Sequence, residues 1–173
     1  MNSADLTFEA LVDAFSADLY RYAYWLCREA SLAEDLVQET FMRAWKALDK
    51  LENPESAKAW LFTILRRELS RYLGKQKAEL ISLDALVDSE NLVAVDEAFS
   101  KVEVWALQQA LKSVPQHYLE PLLLQVVAGY SCDEIADIMN IKSGAVMTRV
   151  CRARQQLRQT LLSGRSTIKR VEK

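Results

Sequence analysis

The chain has 173 residues, half of them apolar, and a net charge of −2. That suffices for one ordinary domain or two small ones. No apolar run approaches the roughly 18 residues of a membrane span. The opening MNSADLTFEA lacks the basic start and apolar core of a signal peptide. Cys27, Cys132 and Cys151 are odd in number and far apart, with no CxxC pair. A disulfide framework or zinc site is therefore not expected, and a reducing, cytoplasmic setting is. Only 4 glycines and 3 prolines, amid abundant Ala, Leu, Glu, Gln and Arg, predict an all-α fold.

The first predicted helix covers residues 5–28, with Leu11, Phe15, Leu19, Tyr22 and Leu26 at helical spacing. Ser31 opens SLAE, a capping-box pattern with Glu34, for a helix running to about Leu48. Its apolar stripe is Ala33, Leu36, Val37, Thr40, Phe41, Ala44 and Leu48. Its polar side presents Asp35, Gln38, Glu39, Met42, Arg43 and Lys46, which alone reads as a solvated face, but Met42 facing away from the apolar stripe among charges suits a docking surface. Asn53-Pro54 breaks the chain. A third helix follows over about 55–73, with Ala57, Trp60, Leu61, Ile64, Leu65 and Leu69 facing inward and Gly74 as its end. Residues 78–100 hold six acids and no base, and read as a linker. Beyond it, a helix over about 96–113 is expected to bury Leu107, Ala110, Leu111 and Val114, with Pro115 breaking it. Another covers about 117–128 and ends at Gly129. Ser131 then opens SCDE, a second capping-box pattern with Glu134.

Charge is the informative part of the composition. Residues 61–78 carry five bases and one acid, and residues 141–173 carry nine bases and one acid, inside an otherwise acidic chain. Two basic islands on helices point to an anionic polymer. The second island coincides with a helix-turn-helix pattern. Ile135 and Ala136 lie in its first helix, and Asn140, which tolerates the left-handed conformation, makes the turn. Val146, Val150, Ala153 and Leu157 then share one face, within about 40° of Val146 at 100° per residue. The opposite face is small and polar at first (Gly144, Thr148, Cys151) and basic later (Arg152), with Gln155 beside it. Small residues permit close approach to base edges, and arginine neutralises phosphate.

Three blocks in order carry a resemblance: AEDLVQETFMRAWKAL (33–48), NPESAKAWLFTILRRELSRYL (53–73) and the long block beginning VPQHYLEPLLL (114–158). Together they resemble a bacterial RNA polymerase sigma factor of the extracytoplasmic-function (ECF) group, over most of the chain. The resemblance implies two small helical domains: region 2 over 1–77 and region 4 over 101–163. An acidic linker over 78–100 joins them, and a basic tail over 164–173 follows. It implies an initiation subunit of RNA polymerase rather than an enzyme, needing no cofactor or metal. Asp35, Gln38, Glu39, Met42 and Arg43 would bind the clamp helices of the largest polymerase subunit. Asn53, Ser56, Phe62, Arg66, Arg67, Arg71, Tyr72 and Lys75 would hold the downstream (−10) promoter element and aid strand separation. A melted strand offers phosphates and unstacked bases, so cations and aromatics are needed together. Trp60 falls on the apolar face, which leaves Phe62 and Tyr72 as the stacking candidates.

Ser131, Lys142, Ser143, Gly144, Ala145, Thr148, Arg149 and Arg152 would meet the upstream (−35) element. Further implied partners are the polymerase flap region and an anti-sigma factor, often membrane-bound, that covers the polymerase-binding surfaces. The linker would thread into polymerase near the template strand and RNA exit path. The implied location is the cytoplasm, on the nucleoid when in the holoenzyme or held at the inner membrane by the anti-sigma factor. The pattern departs from the family's usual one at Arg67 and Arg71, where Asn and Asp are common. It departs again at His117, Leu119, Gln125 and Met147, where basic residues are common. His117, the one histidine, reads as a surface or phosphate contact. The alternatives are a dimeric helix-turn-helix repressor or activator using 1–77 as a sensor, and a purely helical adaptor.

Overall fold

The computed structural model describes residues 8–79 and 101–171, with side chains over 8–75 and 105–163. The chain divides into two compact units, Met1–Glu90 and Asn91–Lys173. Among the described residues there are seven α-helices, short 3-10 turns and no strand. The expected linker falls outside the described residues except at its first two positions, which are helical.

In the first unit, α1 (Phe8–Cys27), α2 (Ala30–Lys46) and α3 (Ala57–Glu79) pack against one another. The spacing of their apolar residues explains the core. Leu11, Leu19 and Tyr22 of α1 meet Ala33, Leu36, Phe41 and Ala44 of α2 and Leu61, Leu65 and Leu69 of α3, all buried. Thr40 sits on the buried stripe without penalty because its hydroxyl donates to the Leu36 carbonyl at 2.7 Å. Between α2 and α3 the chain makes two 3-10 turns, Leu48–Lys50 and Pro54–Ser56. Asn53 caps the second, its side-chain oxygen accepting the Glu55 N–H at 2.9 Å.

Two expected helix ends are misplaced in this unit. The Ser31 capping box does not form, because α2 starts earlier. Arg28 adopts a left-handed conformation with φ 60°, and its N–H reaches the Tyr24 carbonyl at 2.6 Å. Glu29 is then already extended at the N-cap position, and Ser31 donates to its Oε1 at 3.1 Å from within the first turn. Gly74 does not end α3, which continues to Glu79. A single glycine costs a helix only about 1 kcal/mol relative to alanine, and the KQKAE that follows is composed of good helix formers.

The second unit holds α4 (Lys101–Lys112), α5 (Gln116–Val126), α6 (Cys132–Met139) and α7 (Ser143–Val171). The long α7 packs on the other three. Pro115 sets the N-cap of α5. Pro121 inside that helix removes one ladder bond, that to the carbonyl of exposed His117, where water can substitute. Gly129 supplies the positive φ of 79° that turns the chain toward α6. Leu107 was expected in the core but is 42% exposed; among the described side chains of α4, Ala110 and Leu111 are the buried ones.

Leu61 is fully buried between the helices of the first unit. Leu61→Ala should destabilise that unit by about 2–5 kcal/mol, read as a lower midpoint in urea unfolding with an unchanged slope.

Candidate nucleic-acid and partner interfaces

The helix-turn-helix forms as its spacing predicts. The Ser131 hydroxyl accepts the Glu134 N–H at 3.3 Å, while the Glu134 carboxylate accepts the Ser131 N–H at 2.8 Å and its hydroxyl at 2.7 Å. Those bonds to Ser131, backbone first, hold the Glu134 carboxyl below the usual glutamate range. Asn140 closes α6 in the left-handed conformation, φ 53° and ψ 51°. The Ile141 N–H reaches back to the Ala136 carbonyl at 3.0 Å, a Schellman closure that fixes where α7 starts. Val146, Val150 and Ala153 are buried against the rest of the unit. Gly144, Thr148, Cys151, Arg152 and Gln155 are exposed on the other side.

The remaining upstream-element candidates collect around the start of α7. Lys142 is exposed, and Ser143, Ala145 and Arg149 are half-buried. Ser131 stands apart at the start of α6, its hydroxyl engaged in the cap. A brace missed by sequence reasoning holds the arginines. Arg152 donates to the Tyr118 hydroxyl on α5 at 2.9 Å, and Arg154 donates to Gln125 Oε1 at 2.8 Å. The Tyr118 bond pushes the Arg152 pKa further up, so its charge is fixed. His117 lies tilted against the same Tyr118 ring, centroids 3.9 Å apart and planes at 52°.

On α2, all five partner candidates lie on the side away from the core. Asp35, Gln38, Met42 and Arg43 are exposed and Glu39 is half-buried. Trp45 belongs with them. It is 62% exposed and Met42 53%, and at 100° per residue the two lie about 60° apart. Trp45 also packs edge-on to Phe8 at 5.0 Å. It lies about 100° around the helix from Ala44, the middle of the buried stripe, and that was the available sign that it points outward.

The downstream-element set divides. Asn53 and Ser56 are exposed in the turn before α3, and Arg67, Arg71 and Lys75 recur every four residues along one exposed edge. Arg66 and Tyr72 are half-buried. Phe62 is a correction: it is fully buried, edge-on to Tyr22 at 5.4 Å, and serves the core rather than stacking on a base. Trp60, expected in the core, is half-buried. Arg43 and Arg71 also have an internal partner. Glu68 on α3 is 7% exposed, and its two oxygens take Arg43 Nε at 2.8 Å and Arg71 Nη1 at 2.7 Å. Arg43 Nε also lies 2.7 Å from Glu39. This network ties the outward face of α2 to the basic edge of α3.

Two helical units, one built on a helix-turn-helix, define the class. Residues 11–79 match the sigma-70 region 2 family, and residues 105–157 match the sigma-70 region 4 family. The ECF RNA polymerase sigma factor SigM of Bacillus subtilis (strain 168) is 31% identical over 154 residues, 88% of this chain and 94% of that protein. The sigma factor RpoE from Bartonella quintana, solved in complex with the anti-sigma factor NepR, aligns with a TM-score of 0.80 and 30% identity. That alignment covers 89% of this chain and 96% of RpoE. CnrH, solved with the cytosolic domain of CnrY, aligns with a TM-score of 0.65 and 25% identity, over 90% of this chain and 88% of CnrH. The chain belongs to the ECF RNA polymerase sigma factors.

Two predictions follow from these geometries. The depressed Glu134 pKa means its contribution to α6 is present above the ordinary glutamate value of 4.5 and lost as pH falls through the lower folded value. In an NMR titration, the Ser131 amide should shift with a midpoint below 4.5, and Glu134→Gln should abolish that shift. Glu68→Gln should cost about 1–2 kcal/mol in urea unfolding, at the low end for bonds to charged groups because both arginines remain half exposed to water.

Proposed function

We propose that this chain docks on core RNA polymerase through the outward face of α2 and directs initiation from promoters that it reads with both units. The exposed Met42 and Trp45 carry this reading. They form an apolar patch on a helix whose opposite side already fills the core, and such a patch fits a protein partner. The largest-subunit clamp helices are the expected partner for α2, and the flap region for the second unit. Asn53 and Ser56 offer hydrogen bonds to a base lifted from the downstream element. Arg67, Arg71 and Lys75 attract the phosphates of the displaced strand, and Tyr72 is the remaining stacking candidate on α3. The N-terminal turns of α7 enter the major groove of the upstream element. Lys142, Arg149 and Arg152 supply charge, and the small residue Gly144 permits close approach.

An anti-sigma factor covering these faces is the expected control, as the relatives solved with NepR and with CnrY suggest. The work would take place in the cytoplasm, on the nucleoid in the holoenzyme. No described helix is long and apolar enough to cross a membrane, so inner-membrane retention would come from the anti-sigma factor. The acidic linker, repelled by duplex DNA, would thread toward the template strand and RNA exit path of the polymerase. The acidic net charge also limits indiscriminate DNA binding by the free chain.

Core polymerase should be retained by the immobilised chain and should initiate from a subset of a promoter library. Failure of both would remove the reading. Met42→Ala with Trp45→Ala should weaken retention tenfold or more, because burying each side chain is worth roughly 1.5–3 kcal/mol. Arg152→Ala should lower holoenzyme affinity for promoter duplex and flatten the salt dependence by about 0.9 log units per log unit of salt, the value of one phosphate contact.

A further inference from the structure

The outward arc of the first two turns of α7 carries no charged side chain. Gly144, Met147, Thr148 and Cys151 span about 100° there, opposite buried Val146, and all four are exposed, Met147 at 56%. The Thr148 hydroxyl already donates its one proton to the Gly144 carbonyl at 2.9 Å, so it has no donor left for a base acceptor, and its methyl adds to the apolar arc. A Cβ built on Gly144 would meet nothing within 4 Å, so the start of the arc is open. The nearby arginines lie off this arc: Arg149 is half-buried, and Arg152 is braced by Tyr118.

Residues in the first turns of a recognition helix are those that meet base edges. Guanine presents two acceptors in the major groove and is matched by a forked cation, whereas thymine presents its C5-methyl group. A thioether and a threonine methyl fit the second and would leave the acceptors of the first unpaired. We propose that α7 reads thymine C5-methyl groups in the upstream duplex through Met147, with Thr148 beside it, while Lys142 and Arg152 hold the flanking phosphates. This rests on the sigma-factor reading and narrows it to the chemistry of the bases read.

The test uses holoenzyme assembled from the full chain and core polymerase. Promoter duplexes are selected from a random library, and each thymine of the selected upstream element is replaced by deoxyuridine, which removes only the methyl. One or two positions should lose about fourfold in affinity, the value of one buried methyl. Met147→Ala should abolish that sensitivity, and Met147→Leu should keep it. Selected elements without a uracil penalty, or a penalty that survives Met147→Ala, would overturn this inference alone. The first result would return Met147 to the status of an unused apolar side chain or a protein contact. Failure to select any upstream element would overturn the proposed promoter reading by α7 and this inference with it.

Discussion

A side chain on a helix in so small a unit faces either its own core or the outside, and that division underlies this protein. In α2 the split is sharp. Ala33, Leu36, Phe41 and Ala44 are buried against α1 and α3, which leaves Met42 and Trp45 exposed to water. Exposing two large apolar side chains one turn apart forgoes roughly 1.5–3 kcal/mol each relative to burial. The polymerase-docking reading gives that exposure a purpose. The same division operates in α7, where Val146, Val150 and Ala153 hold the helix down and the opposite face stays available.

The cations are arranged by the same economy of contacts. Arg43 and Arg71 both satisfy the buried Glu68 carboxylate while keeping close to half of each side chain in solvent. Arg152 leans on Tyr118 and Arg154 on Gln125, so α5 braces the basic side of α7. A braced guanidinium loses less conformational freedom on meeting a phosphate than a free one does. Within the basic islands, Arg71, Arg152 and Arg154 are therefore held in place by neighbouring side chains.

Much of this was legible in the sequence. Helical periodicity located the described helices, and the SCDE pattern with Asn140 fixed the helix-turn-helix to the residue. The misses have local physical causes. SLAE has the letters of a capping box, but the left-handed turn at Arg28 moved the helix start ahead of it. Gly74 has the identity of a helix stop without the conformation of one. Phe62 was expected outside the core and is buried, while Trp60 was expected inside it and is half-buried; Phe62 borders the stripe of Leu61, Leu65 and Leu69, where angle alone does not decide burial and the Tyr22 ring does. The pairs Arg152–Tyr118 and Arg43–Glu68 join residues on different helices. No spacing rule reaches across that separation.

The most direct test of the central claim places a photoreactive residue at one of three positions: Met42, Thr148, or the buried Val37 as control. Each variant is illuminated with promoter DNA, with and without core polymerase. The account predicts that position 42 crosslinks to the largest polymerase subunit and position 148 to the upstream duplex, with the DNA adduct strongly dependent on polymerase. Position 37 should give neither. A DNA adduct of equal yield without polymerase, together with no polymerase adduct at position 42, would contradict the account and favour a repressor acting alone.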